Sequence, residues 1–199
     1  MSDAVSIRNA TVADAAALAA LMNLAADGIP AEIWATLAAP GEDPMAVGRR
    51  RAARSEGTFS YRHAWIADRA GDVLGMAFGY PLEGQPATAA ELAGLPANVR
   101  PFVALEAEAQ GSFYLNGIAT AVAARRSGVG RRLMAEAWRR ARAEGSPAVT
   151  LGMFRHNAPA AAFYRGFGFV EIASRPPLAD PVHRHRGDVV LLRAPVGVD

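Results

Sequence analysis

Residues 114–145 read YLNGIATAVAARRSGVGRRLMAEAWRRARAEG, an apolar run followed by a glycine loop with arginines and then an amphipathic segment. The apolar run predicts a strand over Phe113–Thr120. After the loop, apolar side chains recur at helical spacing and predict a helix from about Val129 to Glu144. A loop that enters a helix N-terminus presents backbone N–H groups at the positive end of the helix dipole, which favours anions. The stretch therefore predicts an anion site, and a ligand with phosphate groups is expected there.

The loop itself, Arg125–Gly130, has the pattern Arg-x-x-Gly-x-Gly. Its glycines allow the backbone to turn with positive φ and to approach a ligand closely. The side chains of Arg125, Arg126 and Arg131 can add charge-assisted hydrogen bonds to phosphate. A dinucleotide-binding fingerprint would need a third glycine three residues after the second, where Leu133 stands. The loop alone is also compatible with a plain connection from strand to helix.

The composition is that of a globular protein. At 199 residues, with 51% hydrophobic and 20% charged residues, the chain suits a single domain over residues 1–199. No apolar run reaches the ~18 residues of a transmembrane helix, and no basic segment with an apolar core marks a secretory signal. Without cysteine there is no thiolate nucleophile and no cysteine-based metal site. We therefore expect a cytoplasmic protein without a membrane partner.

The positive charge of the chain is carried by arginine, because none of the 21 basic residues is lysine. A P-loop requires GxxxxGKS or GxxxxGKT, so a nucleotide triphosphatase of that type is excluded. The formal net charge is only +2, which gives little support for a nucleic-acid partner. The arginine cluster within residues 49–54 is explained by a solvated helix face.

Strands and helices are mixed along the chain, which predicts one α/β domain with a partly antiparallel sheet. The predicted strands are Ser6–Arg8, His63–Asp68, Val73–Tyr80, Phe113–Thr120, Ala148–Phe154, Phe169–Ser174 and Asp188–Ala194. The predicted helices are Thr11–Ala26, Ala31–Ala38, Pro44–Arg54, Ala89–Leu92, Val129–Glu144 and Ala158–Arg165. Thr11 and Asp14 have the spacing of a capping box at the start of the first helix.

A second motif follows the strand after the amphipathic helix. Asn157 stands where a helix N-cap is expected, and Pro159 falls in the first turn. From Asn157 the sequence fits N-x-x-A-x-x-x-Y-x-x-x-G-F, with Tyr164 and Phe169 at the aromatic positions. This motif and R/Q-x-x-G-x-G/A, in this order and at this separation, are signatures of the GNAT superfamily of acetyl-CoA-dependent N-acetyltransferases, which the chain resembles.

The resemblance to the GNAT superfamily covers most of the chain and implies its fold. That fold has a central, mostly antiparallel sheet of seven strands, flanked by helices and split near the acetyl-CoA site. The poorest matches are Gly28–Arg54 and Pro81–Gly111, the regions that usually shape the acceptor site. Before the loop, Thr120 stands where valine is frequent and Val122 replaces a proline, and neither change removes a backbone donor.

The resemblance also implies how acetyl-CoA is held, without a metal ion. The strand before the loop would pair with the pantetheine arm, the loop N–H groups would bind the pyrophosphate, and the helix after Asn157 would flank the thioester. The residues expected to bind the cofactor are Ile118, Ala119, Thr120, Arg125, Arg126, Ser127, Gly128, Val129, Gly130, Arg131, Asn157 and Phe163.

Two proton transfers decide the expected catalytic residues. The attacking amine must be neutral, although a lysine side chain has an ordinary pKa of about 10.4. Tyr164 matches the family's general acid for the leaving thiolate, or else it only packs beside Phe163. Glu106 is the expected base, because some members hold a carboxylate before the central strand; Glu108 is close by, and both could simply be solvated. Histidine titrates near neutrality and is a further option; the candidates are His156, His183 and His185.

The resemblance thus implies an acyltransferase, an N-acetyltransferase for a primary amine of a small molecule or a protein, in a family where homodimers are common. Ile29, Pro30 and Trp34 could line the acceptor cleft, although packing between helices explains them equally well. The alternative is a GNAT-fold module that senses acyl-CoA without turnover. Nucleic-acid binding through the arginines is a third class, but the sequence offers no recognition helix and no aromatic-basic platform.

Overall fold

The computed structural model describes residues 4–177 and 187–197. In that part of the chain seven strands are hydrogen-bonded in the order β1-β2-β3-β4-β5-β7-β6. They are β1 (Ser6–Asn9), β2 (Ala64–Arg69), β3 (Asp72–Pro81), β4 (Phe113–Thr120), β5 (Ala148–Phe154), β6 (Val170–Arg175) and β7 (Val189–Pro195). The pairs β1–β2, β2–β3, β5–β7 and β6–β7 are antiparallel, and β4–β5 is parallel. The expected mixed, mostly antiparallel sheet is thereby confirmed.

The helices follow the predicted ones closely, with one addition. They are α1 (Ala15–Ala25), α2 (Ile29–Leu37), α3 (Pro44–Ala52), α4 (Ala89–Gly94), α5 (Arg100–Glu106), α6 (Val129–Ala143) and α7 (Ala158–Arg165). The sequence analysis did not predict α5, which has seven residues. Its sequence nevertheless suits a helix, since Pro101 lies in the first turn, where its missing N–H costs no hydrogen bond.

The contacts between Cα atoms divide the chain into two compact units. The first unit consists of residues 1–79 and 116–137, and the second of residues 80–115 and 138–199. Neither unit is one continuous stretch, because the chain leaves the first unit within β3 and returns to it within β4. The expectation of a single domain over residues 1–199 stays a prediction.

In the first unit, Trp34 explains how α2 packs on α3. Its indole is 3% exposed and lies against Gly48, where any side chain would overlap the ring. The Phe59 ring stacks on the same indole with the centroids 5.7 Å apart. Ile29 is buried as well. The geometry therefore favours core packing, rather than a cleft lining, as the role of Trp34 and Ile29.

A partly buried ionic network joins β1, the 3-10 turn at Val12–Asp14 and β2 in the first unit. The Arg8 guanidinium donates to both carboxylate oxygens of Asp14 at 2.9 Å and to Asp68 at 3.2 Å. The backbone N–H of Thr11 donates to Asp14 at 2.7 Å, which confirms the predicted capping box. These hydrogen bonds lower the pKa of Asp14 to about 2, and the bond from Arg8 makes the largest contribution.

Replacing Asp14 with Asn is expected to lower the free energy of unfolding by about 1–2 kcal/mol at pH 7. The pKa shift alone would suggest slightly more, but the Arg8 side chain is 38% exposed and solvent screens the pair. Because the carboxyl pKa is lowered in the folded protein, the difference should shrink as the pH falls from about 4 towards about 2. Urea unfolding at several pH values measures this, with the exposed Asp72→Asn as the control. An equal effect of both substitutions would contradict the prediction.

The second unit is built around the antiparallel pair β5–β7, which runs in register from Ala148–Pro195 to Phe154–Val189. The parallel pairing of β4 with β5 joins Phe113 to Val149 and Tyr114 to Thr150, at the start of both strands. Between these strands the buried hydroxyls of Ser112 and Thr150 are hydrogen-bonded at 2.6 Å. The core of this unit contains Leu105, Ala109, Tyr114, Val189 and Leu191, with Tyr80, Leu82, Phe102, Phe154 and Ala173 packed against it.

Candidate active site

The glycine loop lies in the first unit, between β4 and α6. A 3-10 turn at Val122–Ala124 follows β4, and α6 begins at Val129. The backbone is left-handed at Gly128 (φ 85°), as the sequence predicts, and also at Arg126 (φ 64°). A non-glycine residue with positive φ is uncommon, so the loop is held in a sharply turned shape just before the helix. The first turn of an α-helix does not use its N–H groups internally and can offer them to an anion.

Local hydrogen bonds hold this loop. The Ser127 hydroxyl donates to the carbonyl of Ala124 at 2.6 Å. At the start of the loop, the Ala121 N–H donates to the Leu74 carbonyl of β3 at 2.9 Å. The side chains of Arg125 and Arg126 are exposed. The loop is therefore fixed by its own backbone and by β3, while both guanidinium groups are accessible to a ligand.

The start of α6 is positioned by two close approaches within the first unit. The fully buried Trp65 of β2 donates its indole N–H to the Leu133 carbonyl at 3.0 Å. Gly75 of β3 lies so close to β4 and α6 that an added Cβ would be 2.7 Å from the Ala119 carbonyl oxygen and 3.0 Å from Val129 Cγ1. The absence of a side chain at Gly75 thus lets β3 support both ends of the loop.

In the second unit, Asn157 begins α7. Its side-chain oxygen accepts from the Ala160 N–H at 3.2 Å, so the predicted N-cap is confirmed. Pro159 lies in the first turn, also as predicted. The amide NH₂ of Asn157 has no hydrogen-bond partner among the described residues, and the residue is exposed. The side-chain oxygen of Asn157 therefore caps the helix, and its NH₂ group is available to a ligand.

Tyr164 lies near the end of α7 in a group of aromatic rings. Its ring centroid is 5.5 Å from that of Phe163 and 5.6 Å from that of Phe169. Burial raises the pKa of the Tyr164 hydroxyl, which is therefore protonated at neutral pH. Within residues 4–177 and 187–197, nothing hydrogen-bonds that hydroxyl. From the sequence, Tyr164 was expected either to pack beside Phe163 or to act as a general acid. The structure is compatible with both, because the ring is packed and the O–H donor is available.

Glu106 ends α5, and the structure distinguishes it from Glu108. The Glu106 side chain is half-buried, and this burial raises its pKa to about 7. Its charge acts on the buried hydroxyl of Tyr114, which accepts a hydrogen bond from the Gly152 N–H. Glu108 is exposed and pairs with Arg175. Of the two candidate bases, Glu106 therefore has the pKa that suits a general base near neutral pH.

The histidine candidates gain no support. His156 is exposed and stacks on Phe154 with the ring centroids 5.4 Å apart. His183 and His185 lie outside the described residues. In the part of the chain that the structure describes, no group of three or more His, Asp and Glu side chains could hold a metal ion. None of the described helices is long and apolar enough to cross a membrane.

The structure divides the predicted site residues among three local groups. Ile118–Thr120 and the loop Arg125–Arg131 are neighbours in the first unit. In the second unit, Phe163 contacts Tyr164 on α7, and Glu106 lies beside Tyr114. Tyr114 and Phe102, which packs against the core cluster that contains Tyr114, were not predicted as site residues from the sequence. The sequence could have indicated that the side chains of Phe102 and Glu106 are neighbours, because they are four residues apart and therefore share one face of a helix.

Comparisons with known proteins identify the family and support the fold. A model of the acetyltransferase (GNAT) family matches residues 32–169. The N-acetyltransferase from Staphylococcus aureus Mu50 has a TM-score of 0.66 at 17% identity, over 95% of this chain and 100% of that one. The ribosomal-protein-S18-alanine N-acetyltransferase from Escherichia coli has a TM-score of 0.60 at 17% identity, over 98% and 96% of the two chains. The ribosomal-protein-alanine N-acetyltransferase from Brucella melitensis has a TM-score of 0.58 at 24% identity, over 96% and 99%. The search among curated proteins gives no match.

Proposed function

Because the chain belongs to the GNAT family of acetyltransferases, we propose that it is an N-acetyltransferase that transfers the acetyl group of acetyl-CoA to a primary amine. The observation that carries this proposal is the loop before α6, with left-handed backbone at Arg126 and Gly128 and two exposed arginines. Such a loop fits the diphosphate of coenzyme A, because N–H groups and guanidinium groups both favour phosphate oxygens.

The residues proposed to hold acetyl-CoA have separate tasks. The backbone of Ile118, Ala119 and Thr120 pairs with the amide groups of the pantetheine arm, as an added strand would. The N–H groups between Arg126 and Arg131 bind the diphosphate, with Arg125 adding charge. Asn157 donates its amide NH₂ to the arm, and Phe163 shields the thioester from water. The full set is Ile118, Ala119, Thr120, Arg125, Arg126, Ser127, Gly128, Val129, Gly130, Arg131, Asn157 and Phe163.

Bound acetyl-CoA supplies a thioester, and the chain's own residues manage the protons. The amine nitrogen forms a bond to the thioester carbonyl carbon, and the carbon–sulfur bond breaks. Glu106 takes a proton from the nitrogen, for which a pKa of about 7 is suitable. Tyr164, protonated because burial raises its pKa, donates to the thiolate as it leaves. The products are an acetylated amine and coenzyme A.

The acceptor is a primary amine of a small molecule or of a protein. Two structures similar in fold belong to acetyltransferases of ribosomal-protein alanine, so a protein N-terminus belongs in any test. A homodimer and a cytoplasmic location stay predictions, and nothing here favours a nucleic-acid partner. The alternative remains a module that binds acyl-CoA as a sensor and does not turn it over.

A thiol-release assay tests the proposal. The purified protein is given acetyl-CoA and a panel of primary amines that includes small amines and a peptide with an N-terminal alanine. Amine-dependent release of thiol, together with calorimetric binding of acetyl-CoA, supports the transferase. Binding without release by any amine would favour the sensor. No binding of acetyl-CoA by the folded protein would reject both.

Replacing Gly75 with Ala is expected to weaken acetyl-CoA binding by about tenfold. The new Cβ would lie 2.7 Å from the Ala119 carbonyl oxygen, so the end of β4 or the start of α6 must move. The matched control is Gly94→Ala, where a Cβ would meet no atom within 4 Å. Calorimetry on both variants measures the effect, and equal affinities would show that support from β3 does not set the loop's geometry.

A further inference from the structure

In the second unit, α5 carries a carboxylate and an aromatic ring on one face. Phe102 and Glu106 are one helical turn apart on α5, so both side chains lie on one face of that helix. Phe102 and Glu106 are both half-buried, so each keeps part of its surface open to a ligand. Both side chains are also connected to Tyr114, since Phe102 packs against the core cluster that contains Tyr114 and the Glu106 charge acts on the Tyr114 hydroxyl.

A glycine on β5 provides the room for the Phe102 ring. An added Cβ at Gly152 would lie 2.8 Å from Phe102 Cδ1 and 3.3 Å from the Tyr114 hydroxyl oxygen. The Phe102 ring also meets Phe154 edge-on, with the centroids 5.2 Å apart. Tyr80 lies 6.2 Å from Tyr114 between ring centroids. Phe102, Phe154 and Tyr80 are only half-buried, so each keeps part of its ring surface open to a ligand.

The charge of Glu106 is not balanced within the described chain. Glu108 pairs with Arg175, and Glu171 pairs with Arg155. The Glu106 carboxylate, in contrast, has no hydrogen bond or ion pair from residues 4–177 or 187–197. A half-buried carboxylate on the same helix face as an aromatic ring is complementary to an amine that carries an apolar substituent.

Building on the function proposed above, we propose that the acceptor is a small arylalkylamine, a primary amine with an aromatic ring one or two carbons from the nitrogen. The nitrogen of the neutral amine lies at the Glu106 carboxylate, which takes the one proton that the nitrogen loses on attack, and the ring of the amine packs on Phe102 and Phe154. Polar amines of equal basicity lose the ring contacts and are poorer acceptors. The specificity therefore comes from the same helix face that supplies the base.

Two amines of similar basicity, benzylamine and 2-methoxyethylamine, test this inference in the thiol-release assay. We expect kcat/KM for benzylamine to be about tenfold higher or more, because burial of an aromatic ring favours it. Phe102→Ala should bring the ratio of kcat/KM for benzylamine to kcat/KM for 2-methoxyethylamine close to one. The KM for acetyl-CoA should stay unchanged. Phe102→Leu, which keeps most of the apolar volume and is the safer variant for folding, should give an intermediate ratio. Val170→Ala, at a residue that is 61% exposed, is the control.

Each outcome of this experiment decides a different question. A ratio near one in the unmodified protein, or a ratio that both Phe102 variants leave unchanged, overturns the inference while the acetyltransferase stands. A peptide with an N-terminal alanine that is preferred over benzylamine also overturns it, and assigns the site to a protein N-terminus. No release with any amine overturns the proposed function and this inference together.

Discussion

Glu106→Gln is expected to lower kcat/KM for the acceptor amine by about 100-fold at neutral pH, within the range for loss of a general base. The amide cannot accept the proton that the nitrogen must lose. Burial raises the pKa of Glu106 to about 7, so the carboxyl group is an active base only above that pH. The rate, expressed per concentration of neutral amine, should therefore rise with pH through about 7 in the unmodified protein. In Glu106→Gln this rise should disappear.

We do not expect unfolding to cause the loss of activity predicted for this variant. Since burial disfavours the charged carboxylate, its folded pKa lies above the unfolded value, and the charge lowers stability once the pH exceeds the unfolded pKa. Glu106→Gln removes that charge and should keep or raise the free energy of unfolding at pH 8. Thermal unfolding at that pH checks the point on the same samples used for the rates.

The matched control for this prediction is Glu108→Gln. Glu108 is exposed and pairs with Arg175, so its substitution should change the rate by less than about threefold. If Glu106→Gln keeps both the rate and its rise through pH 7, the base lies elsewhere and His156 becomes the first candidate. If instead Glu108→Gln removes the rise of the rate with pH, Glu108 rather than Glu106 is the general base.

The parts of the fold that depend on local sequence could be predicted, and the loop is the clearest case. Its glycines, the apolar run before it and the periodic segment after it are all read from contiguous residues, and the structure has β4, the loop and α6 where the sequence indicates. The N-cap at Asn157 could likewise be predicted from the residues that directly follow it in the sequence. What the loop sequence could not reveal is the left-handed backbone at Arg126, because its residue type does not require it.

The aromatic cluster around Glu106 could not be predicted, because it depends on distant parts of the chain. Phe102 fits only because Gly152, about fifty residues later, leaves room for its ring. Likewise, Glu106 and Glu108 are equivalent in an alanine-rich stretch of sequence. Glu106 ends α5, where its charge acts on Tyr114, whereas Glu108 lies in the following 3-10 turn, Ala107–Ala109, and pairs with Arg175. Burial then separates their chemistry.

Tyr164→Phe is expected to lower kcat by about 100-fold, with little change in the KM for acetyl-CoA. In the proposed mechanism the hydroxyl donates to the sulfur only as negative charge develops on it, so its loss should affect the transition state more than binding. Since burial raises the pKa of Tyr164 above its ordinary value of about 10, a full proton transfer to a thiolate of ordinary pKa about 8.5 is uphill. The benefit therefore comes mainly from a hydrogen bond that strengthens as the thiolate forms.

This mechanism gives Tyr164 a kinetic signature that differs from that of Glu106. The hydroxyl stays protonated across the working range, so Tyr164→Phe should lower the rate equally at pH 6, 7 and 8 and leave the rise through about 7 in place. The substitution keeps the ring contacts with Phe163 and Phe169, and so a residue that only packs would show no change. Tyr61→Phe, at another half-buried tyrosine, controls for the loss of a hydroxyl. An unchanged kcat in Tyr164→Phe would assign the tyrosine to packing and leave protonation of the thiolate to solvent.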